Sequence, residues 1–185
     1  MKLLKSITEL AKAIFGAVKQ AKNNSKKHEK YKNMSNDELL NLSDSELFEA
    51  VNVLCYLGID EEKIDRINTC QRVFFAASSL DAEVNNGGLC QFFVNSSRAC
   101  APYVSQSLED IGALKTKKLF DDFVKENNID VNNLDSFIID DVSEFEEQNN
   151  RYPFDDFDTA YYEIEEINEL LVSYARINIR ALIEK

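Results

Sequence analysis

The stretch Asp60-Glu-Glu-Lys-Ile-Asp-Arg-Ile-Asn-Thr-Cys-Gln-Arg-Val-Phe-Phe-Ala-Ala-Ser-Ser-Leu-Asp-Ala-Glu-Val-Asn-Asn-Gly-Gly-Leu-Cys-Gln-Phe-Phe-Val-Asn95 decides the fold class. Ile64, Ile67, Val73, Phe74, Ala77 and Leu80 recur at helical spacing and predict a helix from about Asp60 to Val84 with those side chains buried. Asn85-Asn86-Gly87-Gly88 breaks it, since Asn and Gly tolerate positive φ, and their tight turn would use the Asn side chains as caps. The apolar run from Leu89 to Asn95 then supplies one or two further turns, with Phe92 and Phe93 as core. Gln91 and Asn95 lie one turn apart, placed to hydrogen-bond each other or the turn. Glu83, Asn86, Gln91 and Asn95 together form a candidate polar pocket, whose simpler reading is a structural network.

Outward from this stretch the pattern stays helical. Ser35/Glu38 and Ser43/Glu46 each match a capping box. The second opens a helix through Leu47, Val51, Leu54 and Cys55 that stops at Gly58. Pro102 suits the first turn of a helix reaching Gly112, and another covers roughly Thr116 to Asn127. A helix around Ile139 to Gln148 has irregular flanks. Asp155 is a natural N-cap for a long final helix ending near Ile183. Before all of these, Leu3, Leu4, Ile7, Leu10, Ala11, Ile14, Phe15 and Val18 form an apolar stripe opposite Lys2, Lys5, Lys12, Lys19, Lys22 and Lys26, and the Lys-rich Asn23–Asn33 reads as a linker. The expectation is an all-α, single-domain multi-helix bundle (34–185) with an extra basic amphipathic helix and linker (1–33).

Composition narrows the function classes. Two prolines and five glycines in 185 residues disfavour a turn-rich β architecture. A net charge of −12 repels nucleic acid and attracts basic protein surfaces. The charge is segregated: residues 1–32 carry nine Lys against two Glu, so the remainder carries a net −19. Cys55, Cys70, Cys90 and Cys100 show no CxxC pairing and read as small buried apolar residues of a reducing cytoplasm. No apolar run approaches the ~18 residues of a membrane span, and no secretory signal is expected. His28, the single histidine, sits in the polar Lys-rich stretch and makes a poor catalytic base or metal ligand. No phosphate-binding glycine motif and no ExxH pair occurs. The acidic doublets Asp121-Asp122 and Asp140-Asp141 leave metal-dependent chemistry open as an alternative, but neither a cofactor nor an enzyme is expected.

The sharper signal is the run from Asp130 to Glu169, which holds fourteen carboxylates against one basic residue, Arg151. At 100° per residue, Asp155, Asp156, Asp158, Glu163, Glu165, Glu166 and Glu169 fall on one half of the expected final helix, with Phe157, Ala160, Tyr161, Ile164, Ile167 and Leu171 on the other. Fifteen helical residues rise about 22 Å, or one charge per roughly 3 Å, against 3.4 Å of axis per charge on one DNA strand. Asp140, Asp141, Glu144, Glu146 and Glu147 form a second group. The plain alternative is an ordinary solubilising surface.

The run Glu83–Asn95, Ile111-Gly112-Ala113, and the stretch Phe154–Tyr162 continuing through Leu170–Tyr174 resemble the signature of the bacterial DNA-mimic protein family, over roughly residues 45–183. The resemblance implies an all-helical fold and, for the characterised type member, a homodimer. It implies also an acidic surface that occupies the DNA-binding face of a helix-turn-helix transcription factor. The basic N-terminal helix departs from that pattern; peripheral contact with an anionic membrane through residues 1–22, docking on the acidic body, and plain solvation are its three readings. The functional expectation is a non-enzymatic, cytoplasmic binding protein whose two carboxylate groups meet a basic DNA-binding protein, with no direct nucleic acid contact. An immunity-type inhibitor of a nuclease toxin, and an enzyme or metal-binding protein using Glu83–Asn95, are the alternatives.

Overall fold

The computed structural model describes residues 25–56, 61–141, 143–164 and 167–183. The N-terminal helix read over residues 1–22, the stop at Gly58, and Glu165 and Glu166 lie outside them. Among the described residues all regular structure is helical, with no strand. Residues 25–31 (α1) lead into α2 (Asn36–Leu40), α3 (Asp44–Tyr56), a 3-10 turn (Glu61–Arg66) and α4 (Thr69–Val94). A second 3-10 turn (Ser96–Cys100) leads to α5 (Ala101–Ile111), α6 (Leu114–Glu126), α7 (Ser143–Asn149), α8 (Phe154–Tyr161) and α9 (Ile167–Ile183).

α4 is the central element, packed against α5, α8 and α9, while α3 lies on α9 and α6 bridges α5 and α8. Its core face is largely as the spacing predicts: Val73, Phe74, Ala77 and Leu80 are buried, Ile64 is buried in the preceding turn, and Ile67, between that turn and α4, is half-buried. The helix starts later than expected. Residues 61–66 form a tight 3-10 turn, and Asn68 opens α4 with a capping box in which its side chain accepts the Gln71 N–H (2.9 Å) and Gln71 reaches back. Asn68-Thr-Cys-Gln71 carries this start signal, with Asn in place of the usual Ser or Thr.

Four further elements depart from expectation. The segment read as a linker is helical over 25–31, and Tyr31 is 1% exposed, its hydroxyl donating to Glu49 on α3 at 2.8 Å. Helix α6 begins two residues early, at Leu114. The helix read from Ile139 shortens to α7, because Asp141 turns back to accept the Ser143 N–H at 2.6 Å and ends the irregular chain before it. The long final helix is two helices. Tyr162 caps α8, Tyr162 and Glu163 form a turn, and α9 starts at Ile167. Pro153, not Asp155, stands at the N-cap of α8.

The NNGG break appears as a kink inside α4. Gly87 lies at φ −165° and Gly88 at φ +84°, ψ 173°, so six residues from Leu89 to Val94 run as a separate short helix. That second piece drives Phe92 and Phe93, both fully buried, into an aromatic cluster. Phe93 lies with ring centroids 5.0 Å from Phe137, 6.2 Å from Phe154 and 6.3 Å from Phe120. The backbone of Gly88 is in a region that only glycine occupies readily, and a Cβ there would lie 2.1 Å from Asp158 Oδ2. Gly112 ends α5 at φ +86° with open space around it. Gly88→Ala is therefore expected to destabilise by about 2–3 kcal/mol, and Gly112→Ala by about 1 kcal/mol from backbone strain alone. Equilibrium urea unfolding of the two variants would show that order, and equal losses would refute the steric account of Gly88.

Candidate functional site

Three of the four residues of the candidate polar pocket come together, but around a different centre from the one their spacing suggests. Glu83, on the first piece of α4, accepts from Gln91 Nε2 (2.6 Å) and Asn95 Nδ2 (2.9 Å) through one carboxylate oxygen and from Ser97 Oγ (2.8 Å) through the other. Gln91 and Asn95 thus share an acceptor instead of bonding each other, while Asn86 is exposed on the kink. Ser97, buried in the following 3-10 turn, completes the set; the sequence reading missed it because it lies beyond the helix and carries no periodic signal. Asn85 does cap: its amide nitrogen donates to the Asp81 carbonyl at 2.8 Å and to the Asp81 carboxylate at 2.9 Å.

On the other side of the kink stands Asp158 of α8. Its Oδ1 accepts the Leu89 N–H at 2.8 Å. Leu89 begins the second piece of α4, and a carboxylate there satisfies an otherwise unpaired amide and the positive end of a helix dipole. Burial pushes the Asp158 carboxyl above its usual range, the Leu89 bond opposes that, and the charge of Asp155 adds to the rise. Asp158, read as a partner-facing charge, is thus held inward by the fold. Burial, with the Asp158 charge as a lesser cause, also pushes the Cys90 thiol up to about 12. The Cys55 thiol is likewise pushed up to about 12 by burial, so neither is a thiolate near neutral pH. Cys100 is buried and Cys70 half-buried.

The other predicted carboxylates divide by environment. Asp155 and Asp156 are exposed on α8, Glu163 is exposed in the turn after it, and Glu169 is exposed in the first turn of α9. They therefore sit on two helices and a turn, and the single carboxylate-bearing helix face inferred from the sequence is corrected. In the second group Asp140, Asp141, Glu146 and Glu147 are exposed and Glu144 is half-buried. Asp141 accepts from Ser143, which holds its carboxyl below the ordinary range. Glu144 accepts the Asp140 N–H at 2.9 Å, and Glu147 pairs with Arg151 at 3.1 Å. On α6, Asp121 and Asp122 pair with Lys117 and Lys118, so that doublet is neutralised. Among the described residues no group of three or more His, Cys, Asp or Glu is arranged to hold a metal ion. No described helix is long and apolar enough to cross a membrane.

Fold and site together define an all-helical protein with a kinked central helix and exposed carboxylates on α7, α8 and the first turn of α9. A family profile described as DMP19-like protein matches residues 65–178, which takes in the kink, the Glu83 network and both acidic helices. The chain belongs to the DMP19-like family, a family of DNA-mimic-type proteins. Comparisons with curated proteins and with solved structures find no match.

If Glu83 is a structural acceptor, Glu83→Ala strands three donors and is expected to cost about 1–2 kcal/mol, with Glu83→Gln intermediate. Asp158→Ala is expected to cost about 1–2 kcal/mol, and Asp158→Asn much less, because its amide oxygen still accepts from Leu89. Thermal unfolding checks both pairs, and an unchanged midpoint in either alanine variant would return that residue to the list of candidate binding groups.

Proposed function

We propose that this protein acts as a DNA mimic toward a basic, DNA-binding protein partner such as a transcription factor, and that it does so without catalysis. The observation that carries the reading is the family assignment joined to the acidic surface of the C-terminal third. There Asp155, Asp156, Glu163 and Glu169, with Asp140 and Glu146, are exposed, and the one basic residue between Asp130 and Glu169, Arg151, is paired with Glu147. Exposed carboxylates of one sign raise the local concentration of a basic partner and orient its approach. Contacts to Arg and Lys are charge-assisted and directional, so they add specificity to the field.

The carboxylates are distributed over α7, α8, the following turn and the start of α9, which suits a surface apposed to a broad basic face. Asp158 is absent from this set because the fold uses it. The pairs on α6 are absent because lysines cancel them. Cytoplasmic location, where transcription factors work in bacteria, follows from the same reading.

Surface charge contacts weaken as salt screens them. Pull-down from native bacterial lysate is expected to recover a basic or DNA-binding protein at low salt and to lose it at high salt. The combined variant Asp155→Asn, Asp156→Asn, Glu163→Gln, Glu169→Gln is expected to weaken that capture at least about tenfold, or about 1.4 kcal/mol. Asp121→Asn with Asp122→Asn is expected to have little effect. Recovery of no such protein by the unaltered chain at low salt would overturn the reading.

A further inference from the structure

We infer that the cleft between the middle of α4, the end of α8 and the start of α9 is a receptor for one arginine side chain of the partner, an assignment that rests on the reading above. The cleft has a volume of about 450 Å³ and is lined by Asp81, Asn85, Tyr161, Tyr162, Ile164 and Asn168, among others. This is enough room for a guanidinium with its alkyl stem. Its floor is polar and fixed. Tyr161 Oη donates to Asp81 Oδ1 at 2.7 Å, and Asn85 Nδ2 donates to the same oxygen at 2.9 Å. Burial, with the charge of Asp81 beside it, pushes the Tyr161 phenol far above its ordinary range, so it remains a neutral donor at every physiological pH.

The wall is aromatic and held still. Tyr162 donates its hydroxyl to the Val84 carbonyl at 2.7 Å, which ties down the ring tip while the residue stays 57% exposed. Tyr161 and Tyr162 meet edge to face, with centroids 6.0 Å apart and planes at 87°. A fixed, exposed tyrosine ring presents contact area at low conformational cost. The exposed Tyr162 ring beside the Asp81 carboxylate forms a corner that attracts a cation through ring quadrupole and charge.

The sign of the field is decided by several opposed groups. The N-terminus of α9 opens near this cleft and favours an anion, whereas α8 ends here with its negative pole. Asp81 in the cleft, with exposed Glu163 and Glu169 on the flanking chain, tips the balance to a cation. Among basic side chains the geometry selects arginine. Its planar group stacks on an exposed tyrosine face, and its five donors match a site rich in oxygen acceptors. Asn85 directs its amide nitrogen at Asp81, leaving its amide oxygen as an acceptor, and Asn168 supplies a second carboxamide. The cleft thus adds a shape-specific anchor to an otherwise diffuse charge attraction.

The test is a titration of the whole isotope-labelled protein, followed by amide NMR, with N-acetyl-arginine methylamide. The neutral isostere N-acetyl-citrulline methylamide and N-acetyl-lysine methylamide run in parallel. Saturable shifts at Asn85, Tyr162 and Asn168 are expected with the arginine compound, about tenfold weaker with lysine and absent with citrulline. Tyr162→Ala is expected to abolish them while the Leu89 amide signal, which reports the kink, stays in place. Tyr162→Phe, which keeps the ring, is expected to retain them.

Shifts confined to Asp155 and Asp156, equal shifts with citrulline, a stronger response to lysine, or unchanged binding in Tyr162→Ala would each overturn the assignment. The two readings fail separately. Cleft binding of the arginine compound with no basic protein captured from lysate would sink the mimic function and leave the cleft standing. Capture of a basic protein that is indifferent to Tyr162→Ala would do the reverse.

Discussion

The hydrogen bond from the Leu89 amide to Asp158 holds the architecture in register. Two consecutive glycines let α4 turn, but a break alone leaves a new helix start with unpaired amides inside the protein, which is costly in a buried setting. Asp158 meets that demand from a neighbouring helix, and in doing so fixes where α8 lies on α4. Glu83 closes the opposite side of the kink, gathering Gln91, Asn95 and Ser97 from the chain beyond it. One carboxylate ties the two pieces of α4 to each other, and the other ties them to α8. Between these ties the second piece carries Phe92 and Phe93 into the aromatic cluster with Phe120, Phe137 and Phe154, which joins α6, the irregular chain before α7, and α8.

Much of this was legible in the residues, and the failures have physical causes. Helical class, the capping box at Ser35, the first-turn proline of α5 and the break at NNGG are local signals, decided within a few residues, and each is present. Tyr31 was hidden because a single aromatic residue in a Lys-rich run carries no periodicity; its burial depends on Glu49 and on α3, which only folding brings close. The division of the last helix was hidden for the opposite reason. The apolar residues from Phe157 to Leu171 keep nearly the same angular phase through the break, so the pattern reads as one helix. Here the chain turns without glycine or proline, as the Tyr162 and Glu163 amides donate to the Asp158 and Ala160 carbonyls at the end of α8 and the Tyr162 hydroxyl donates to the Val84 carbonyl.

The acidic residues show the same separation of local from tertiary information. Their number and density are sequence properties, but which of them is left exposed and unengaged by the fold is decided by packing. Asp158 and Glu83 are engaged inside the fold, Asp121 and Asp122 are matched by lysines one turn away, and Asp141 holds its own turn. What remains exposed is a smaller set than composition suggests.

A surface that competes with DNA must be stiff as well as charged, because DNA presents its phosphates already ordered. A disordered acidic tail of equal charge would lose conformational entropy on binding. Helices α7 and α8 are short, and short helices are marginal by themselves, so their order must be borrowed from packing. Phe154 and Phe157 on α8 press on Phe123 of α6, and Tyr152 stacks on Phe137 just ahead of it. Gln148, buried at the end of α7, donates to the Ser136 carbonyl. The aromatic cluster organised by the kink is thus what fixes the backbone beneath Asp155, Asp156, Glu146 and Glu147, so the half-buried carboxylates that stabilise the bend determine, at one remove, where the exposed ones sit.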